Sequence, residues 1–297
     1  MRDPIVCRSL LMTCALSPRR YERGELVGAD ITVIDLEDSV PPDRKEEARR
    51  LALPFLAAGR RGHGLLGVRI NCLRGTDGLR DILALLDGGA RPDLVMLSKV
   101  DTAEDIRITE QLLAGALPDV GFVVLIETAR ALCAVEEIAA ASDRNRVLVY
   151  GAADLSAELG IGMSWEAMFY ARARTAAAGA SARVPVLDAP CFEIGDDASL
   201  ALQIERARLL GYAGKCAVHP DQVEAINRGY SPPAAAVERA RKIVARSESA
   251  GGQICIVDGD MIGPPHVTAA RRLLALAEKI EKTDKAEKTE KAEKLHA

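Results

Sequence analysis

Three carboxylates, Asp35, Glu37 and Asp38, close the β-branched run ITVIDLEDSV at Ile31–Val40, where a buried strand should stop. Acids crowded there repel one another and lose hydration, a cost that a cation, a partner or a bound substrate must offset. Other apolar runs end in Arg69, in Glu127 and, through Gly151, in Asp154. Two carboxylates, with water and substrate oxygens completing the shell, is how Mg²⁺ is usually held; no nearby His or Cys cluster favours Zn²⁺. A cation held so openly can polarise a carbonyl. Arg69, a planar fork flanked by Val68 and Ile70, suits a substrate carboxylate. Taken alone, Glu127 or Asp154 reads equally well as a helix cap or the partner of an arginine, because Asp154-Leu-Ser precedes a helix-like stretch.

The elements that must position these residues repeat one pattern. Short β-rich runs occur at Ser9–Thr13, Ile31–Asp35, Leu66–Ile70, Leu94–Leu97, Val123–Ile126, Val147–Tyr150, Val184–Leu187 and Lys215–Val218. Segments such as Lys45–Ala57, Asp77–Leu86, Glu104–Leu113, Ala131–Ala141, Trp165–Ala178 and Ser199–Leu210 lie between them, with apolar residues at three- and four-residue spacing. Eight alternations of strand and helix predict right-handed crossovers and closure into an α/β (β/α)₈ TIM barrel. A doubly wound sheet more often opens on a phosphate loop, and neither GxGxxG nor GxxxxGK[ST] occurs. In a barrel, chemistry belongs at the carboxyl ends of the strands, which are Asp35 to Asp38, Arg69 and Asn71, Ser98 and Lys99, Glu127 and Thr128, Asp154, Asp188 and His219.

Past the eighth strand, Pro220–Asn227 reads as a closing helix, Pro233–Ser249 as another, Gly251–Gly263 as a hairpin and Pro265–Ile280 as a last amphipathic helix. The division expected is a catalytic barrel over 1–230, a lid or oligomerisation segment over 231–280, and a charged, flexible tail over 281–297, where no apolar face can dock.

Composition narrows the partners. The chain has 297 residues, 48% apolar and 3% aromatic, enough for one large aliphatic core. A net charge of −4 gives no basic field for nucleic acid. No apolar run approaches the roughly 20 residues needed to span a bilayer, and Met1–Ser17 has no signal-peptide pattern. Seven scattered cysteines, never spaced CxxC, read as reduced core thiols, so a cytoplasmic protein is expected.

Several segments, in order, carry a resemblance: RSLL at Arg8–Leu11, DLEDSVPPDRKEEAR at Asp35–Arg49, VRIN at Val68–Asn71, IETA at Ile126–Ala129, GAADLSAELG at Gly151–Gly160, GYAGKCAVHPDQV at Gly211–Val223 and VDGDMIGPPHV at Val257–Val267. The chain resembles the citrate lyase β-subunit-like branch of the HpcH/HpaI aldolase superfamily. The resemblance implies a TIM barrel with a C-terminal lid, a homotrimer or hexamer in which that lid reaches a neighbouring subunit, and Mg²⁺-dependent cleavage or formation of a C–C bond. Its implied substrates are a 2-oxo acid and an acyl thioester of malyl, citramalyl or citryl type, carried on coenzyme A or a carrier protein. Glu127 and Asp154 match the metal ligands, and Arg69 the arginine that binds the oxo-acid carboxylate and stabilises the enolate. Glu37 and Asp38 match acids that hold metal-bound water, which leaves Asp35 as a structural group of the barrel wall. Arg19 and Arg23 in SPRRYERG match basic residues that could meet the pyrophosphate of coenzyme A, or they form a solvated helix face. Lys215 and His219 lie in GKCAVHP, where the resemblance implies that Lys215 binds substrate or coenzyme A and His219 either contacts ligand or closes the barrel ahead of Pro220.

Two departures bear on the reaction. The family's lid usually reads DGxMIDxP, and its second aspartate supplies an acid/base group; Gly263 stands at that place and cannot move a proton. Thioester hydrolysis is therefore not expected unless Asp258 or Asp260 substitutes, residues that otherwise simply form a DG turn. At Met12–Ala15, MTCA replaces a Pro-Gly-containing loop beside the expected thioester site. Without the base, a synthetic reaction that makes its enolate by decarboxylating a malonyl thioester is an attractive variant. Two rival readings are a class II aldolase acting on free pyruvate and an aldehyde, whose histidine base is missing from Asp35–Val40, and a non-catalytic complex subunit, against which the retained Arg69, Glu127 and Asp154 argue.

Overall fold

The computed structural model describes residues 5–24, 26–60 and 62–295, with side chains described through 285. Eight parallel strands close a barrel in sequence order: β1 (Ser9–Cys14), β2 (Ile31–Asp35), β3 (Leu65–Ile70), β4 (Leu94–Leu97), β5 (Gly121–Ile126), β6 (Asn145–Tyr150), β7 (Val186–Asp188) and β8 (Gly214–Ala217). The helices outside them are α1 (Pro18–Gly24), α2 (Lys45–Ala58), α3 (Thr76–Asp87), α4 (Ala103–Leu113), α5 (Ala129–Cys133) and α6 (Val135–Ala140). They continue with α7 (Ala152–Leu159), α8 (Trp165–Ala182), α9 (Asp197–Leu209) and α10 (Gln222–Tyr230). The predicted strands all form, within two residues at either end. The segment Ala131–Ala141 differs: Ala134 leaves the helical region at φ −110°, ψ 16°, and splits it into α5 and α6, which lets Val135, Ile138 and Ala139 bury fully. Helices α1 and α7 span seven and eight residues, about two turns, too short for an apolar period to register in the sequence.

Strand alternation divides the core in two. Leu10, Ile31, Val33, Met96, Val123, Leu125, Val149, Leu187 and Cys216 point inward and fill the barrel. Their neighbours Leu11, Ile34, Val68, Leu97, Val124 and Leu148 point outward to the helices. Where the interior core ends, the next inward positions are polar. Parallel register sets Cys14 beside Asp35 and Asp35 beside Arg69 at one level of the wall. At the opposite end Arg8 Nη2 meets Asp30 Oδ1 at 2.8 Å, both buried, and ties β1 to the entry of β2.

Contacts divide the chain into two compact units, Met1–Tyr230 and Ser231–Ala297. The second contains α11 (Ala234–Ser249), a hairpin of β9 (Cys255–Val257) and β10 (Asp260–Ile262), and α12 (Pro264–Leu295) around Ala240, Ile243, Cys255, Val257, Ile262 and Ala270. Asp258 and Gly259 form the two-residue turn with φ +51° and +91°, as a DG dipeptide favours. Part of the expected tail, from 286 onward, lies outside the residues whose side chains are described. No helix among the described residues is long and apolar enough to cross a membrane.

Candidate active site

The carboxyl ends of the strands open into a pocket of about 840 Å³. Met96, Leu125, Val149 and Cys216 make its floor, which is the last layer of the barrel interior. Asp35, Asp38, Arg69, Glu127 and Asp154 line its polar wall; Phe192 and His219 stand at its rim.

Arg69 is the anchor. Its Nε meets Asp35 Oδ1 at 2.6 Å and its Nη2 meets Asp35 Oδ2 at 2.7 Å, a bidentate pair in which both groups are buried. Asp35 also accepts the backbone N–H groups of Glu37 at 2.8 Å and Ser39 at 3.1 Å. Burial alone would raise the Asp35 carboxyl, but the Arg69 bonds and charge hold it below its ordinary range. The expected wall group is therefore a positioning residue that aims the guanidinium. Nη1 faces Asp38 at 3.4 Å and Glu37 at 2.9 Å, on the guanidinium edge turned away from Asp35.

Glu37 is held differently. Its Oε2 lies close to Arg69 but off the N–H direction, so that buried atom has no hydrogen bond. Burial pushes its carboxyl up to about 8, against the pull of Arg69 and with help from Asp38 and Glu127. A carboxyl that titrates near neutrality beside the rim can hold or move a proton.

Glu127, at the end of β5, is 1% exposed, and burial raises its carboxyl despite the charge of Lys99. Asp154 occupies the third position of α7, where the helix dipole favours a carboxylate. Gly151 lets the two strand ends approach, because a Cβ there would stand 2.4 Å from Glu127 Cβ. Lys99, at the end of β4, donates its backbone N–H to Glu127 Oε1 at 2.6 Å and its ammonium to Asp154 Oδ1 at 2.5 Å. That ammonium also lies 3.5 Å from Glu37, 3.6 Å from Asp38 and 3.9 Å from Glu127. Partial burial opposes its charge, but the surrounding acids hold it above the ordinary lysine range. Oxygen-only donors around one positive centre fit a hard cation such as Mg²⁺. Among the described residues no three His, Cys, Asp or Glu side chains stand together as a ligand group.

The remaining strand-end residues divide. Asn71 bonds Asp81 and the Leu36 carbonyl, Ser98 the Ile70 carbonyl, and Thr128 caps α5 through the Ala131 N–H, so these three hold loops. Arg23 lines the pocket together with its neighbour Arg20, for which no sequence motif argues; Arg19 does not line it. Lys215 is not brought to the pocket. Because Leu187 and Cys216 face inward, Asp188 and Lys215 face the helices; there Lys215 Nζ meets Asp188 Oδ2 at 2.8 Å and Arg172 Nε meets Oδ1 at 3.1 Å, all buried. His219 lies at the pocket rim with Nδ1 3.5 Å from Asp221. In the second unit Asp260 meets Arg239 at 2.5 Å, while Asp258 lies 3.5 Å from Arg239 and 3.7 Å from Lys242.

Fold and rim together define a (β/α)₈ barrel with its polar pocket at the carboxyl ends of the strands, where enzymes of this fold carry their chemistry. The family model for HpcH/HpaI aldolase/citrate lyase matches residues 8–220, and the chain belongs to that family. It is a carbon–carbon lyase of that family. It is 33% identical over 290 residues to an L-malyl-CoA/beta-methylmalyl-CoA lyase of Rhodobacter capsulatus, covering 88% of this chain and 91% of the relative. It is 31% identical over 278 residues to a (3S)-malyl-CoA thioesterase of Cereibacter sphaeroides, covering 92% and 95%. Among solved structures, CitE of Mycobacterium tuberculosis in complex with magnesium, acetoacetate and coenzyme A superposes with a TM-score of 0.77 at 28% identity, over 92% of this chain and 98% of that one. RipC of Yersinia pestis superposes with a TM-score of 0.70 at 38% identity, over 78% and 99%.

Proposed function

We propose that this protein is a Mg²⁺-dependent acyl-CoA lyase that makes or breaks the bond between a thioester enolate and a 2-oxo acid. The observation that carries the reading is the convergence, in one pocket, of the Asp35-aimed Arg69 guanidinium with Glu127 and Asp154. The relatives named as malyl-CoA lyases and the magnesium-bound CitE support it.

Glu127 and Asp154 would hold the metal, which when bound withdraws charge from the keto oxygen of the oxo acid. Arg69 binds the oxo-acid carboxylate through its Nη1 edge and balances charge that develops on the enolate. Glu37, with its raised affinity for protons, takes or returns a proton at a carboxyl oxygen beside the rim. The apolar floor excludes water from the reacting carbon, while Arg20 and Arg23 face the phosphates of the incoming thioester at the mouth. The active form is a homo-oligomer, a trimer or hexamer.

Incubation with Mg²⁺, a 2-oxo acid and either acetyl-CoA or malonyl-CoA, with products followed by mass spectrometry, tests the reading. Condensation product is expected with the parent and not with Glu127→Ala; equal activity of the two would sink it. A preference for malonyl-CoA assigns the synthetic, decarboxylative variant, and parity with acetyl-CoA counts against it.

Gly263 offers a second test. A Cβ at this position meets nothing closer than Ile254 Cγ1 at 3.9 Å, and the residue immediately precedes α12. Gly263→Asp is expected to melt at or slightly above the parent temperature, since Asp caps helices about as well as any residue. If the lid works as the resemblance implies, the variant should also gain thioester hydrolysis, seen as free thiol released from malyl-CoA. Thiol release no faster than the parent's would show that the missing aspartate is not what withholds hydrolysis.

A further inference from the structure

Lys99 is the best-connected cation of the rim, and no step above uses it. Its ammonium reaches acids delivered by three other strand ends: Glu37 and Asp38 after β2, Glu127 after β5 and Asp154 after β6. Its backbone has φ +51°, a left-handed conformation uncommon for residues other than glycine and asparagine. In that strained position the Lys99 N–H bonds Glu127 while the side chain turns to the centre of the ring. The side chain is 27% exposed, so its flexible stem can swing the head toward water without moving the strand.

We propose that the Lys99 ammonium is a tethered counter-ion: it holds Glu37, Asp38, Glu127 and Asp154 together in the metal-free protein and has to leave Asp154 and Glu127 before a divalent cation can take both. The proposal rests on the assignment of those two acids as metal ligands. The physical reason is that one place cannot hold two cations. Without Lys99 the acids of the ring repel one another, and the metal-free rim is destabilised. With it, metal binding must break an existing ion pair, so metal affinity is a difference between two cation affinities.

Titration calorimetry of Mg²⁺ into the full chain, for the parent, Lys99→Met and Lys99→Arg, tests this, together with melting curves in EDTA and in saturating Mg²⁺. Lys99→Met keeps the stem and removes the competitor, so it is expected to bind Mg²⁺ about tenfold more tightly, a difference of about 1.4 kcal/mol. In EDTA it should melt below the parent, and saturating Mg²⁺ should close that gap. Lys99→Arg keeps the charge and should bind Mg²⁺ no more tightly than the parent; tighter binding overturns the proposal even if Lys99→Met does not fold. Equal or weaker Mg²⁺ affinity in Lys99→Met, with the parent binding normally, also overturns it and leaves the metal site standing. Failure of both parent and Lys99→Met to bind Mg²⁺ removes the metal site itself, and the exchange with it.

Discussion

Replacing Arg69 with alanine is expected to abolish most activity and to destabilise the barrel at once, because the guanidinium serves both. Asp35 would keep only the Glu37 and Ser39 N–H groups and would be left as a buried charge without its bidentate partner. Breaking a buried pair on one side costs about 3–5 kcal/mol. At about 2–4 °C per kcal/mol for a domain of this size, the melting temperature should fall by about 6–20 °C. Loss of a preorganised donor at the developing charge should lower kcat by about 100–1,000-fold.

Asp35→Asn approaches the same pair from the other side. It keeps the guanidinium but loosens its aim and leaves a buried charge without its bidentate partner, so KM for the oxo acid should rise and the melting temperature should fall as well. The Asp35 contribution also sets an acid limit. Its folded carboxyl lies below the ordinary value of 3.8, so the pair stabilises the fold above that value. That stabilisation is lost as pH falls through the depressed folded value, and Asp35→Asn should flatten this part of an acid denaturation curve. An Arg69→Ala protein with parental melting temperature and KM would refute the anchoring role.

Gly151→Ala is expected to disable the site with a single methyl group. The added Cβ would fall 2.4 Å from Glu127 Cβ, 3.3 Å from its Cα and 3.1 Å from its Oε2, and neither main chain can give way freely. Gly151 also precedes α7, so any shift that relieves the clash moves Asp154 as well. Overpacking of this kind costs about 1–3 kcal/mol. Misplacing reacting groups by about 1 Å can cost about 100-fold, so kcat/KM and Mg²⁺ affinity should fall together. Gly162→Ala is the matched control, because a Cβ there meets nothing within 4 Å and φ is not positive. Parental activity in Gly151→Ala would show that the rim tolerates displacement of Glu127 and that its geometry is not what drives the reaction.

The barrel was legible in the chain because its signal is local and repeated. A strand of four to six β-branched or apolar residues followed by an amphipathic helix needs only its own period to be seen, and β2, β4 and the hairpin turn at Asp258-Gly259 follow directly. Strand-end position likewise gives the polar residues from Asp35 to His219 as one set, and within it the family resemblance, not position, singles out Arg69, Glu37, Asp38, Glu127 and Asp154. Helices α1 and α7 were legible only as a helix face around Arg19 and Arg23 and a helix-like stretch after Asp154, since two turns carry too few apolar positions to make a period.

What the sequence determined by itself was therefore which elements form, in what order, and which residues end the strands. Only the tertiary structure decided which way those residues face and whom they meet. Alternation turns on one residue, and a strand end read without its partner strands leaves the face ambiguous: Asp188 closes β7 much as Arg69 nearly closes β3, yet it points into the helix layer, where it meets Lys215 of β8. Pairing across strands is set by closure and register, which bring Asp35 level with Arg69 and place Lys99 among acids from three other strand ends. Those contacts span 34 residues from Arg69 to Asp35 and 55 from Lys99 to Asp154, distances over which no local period carries information.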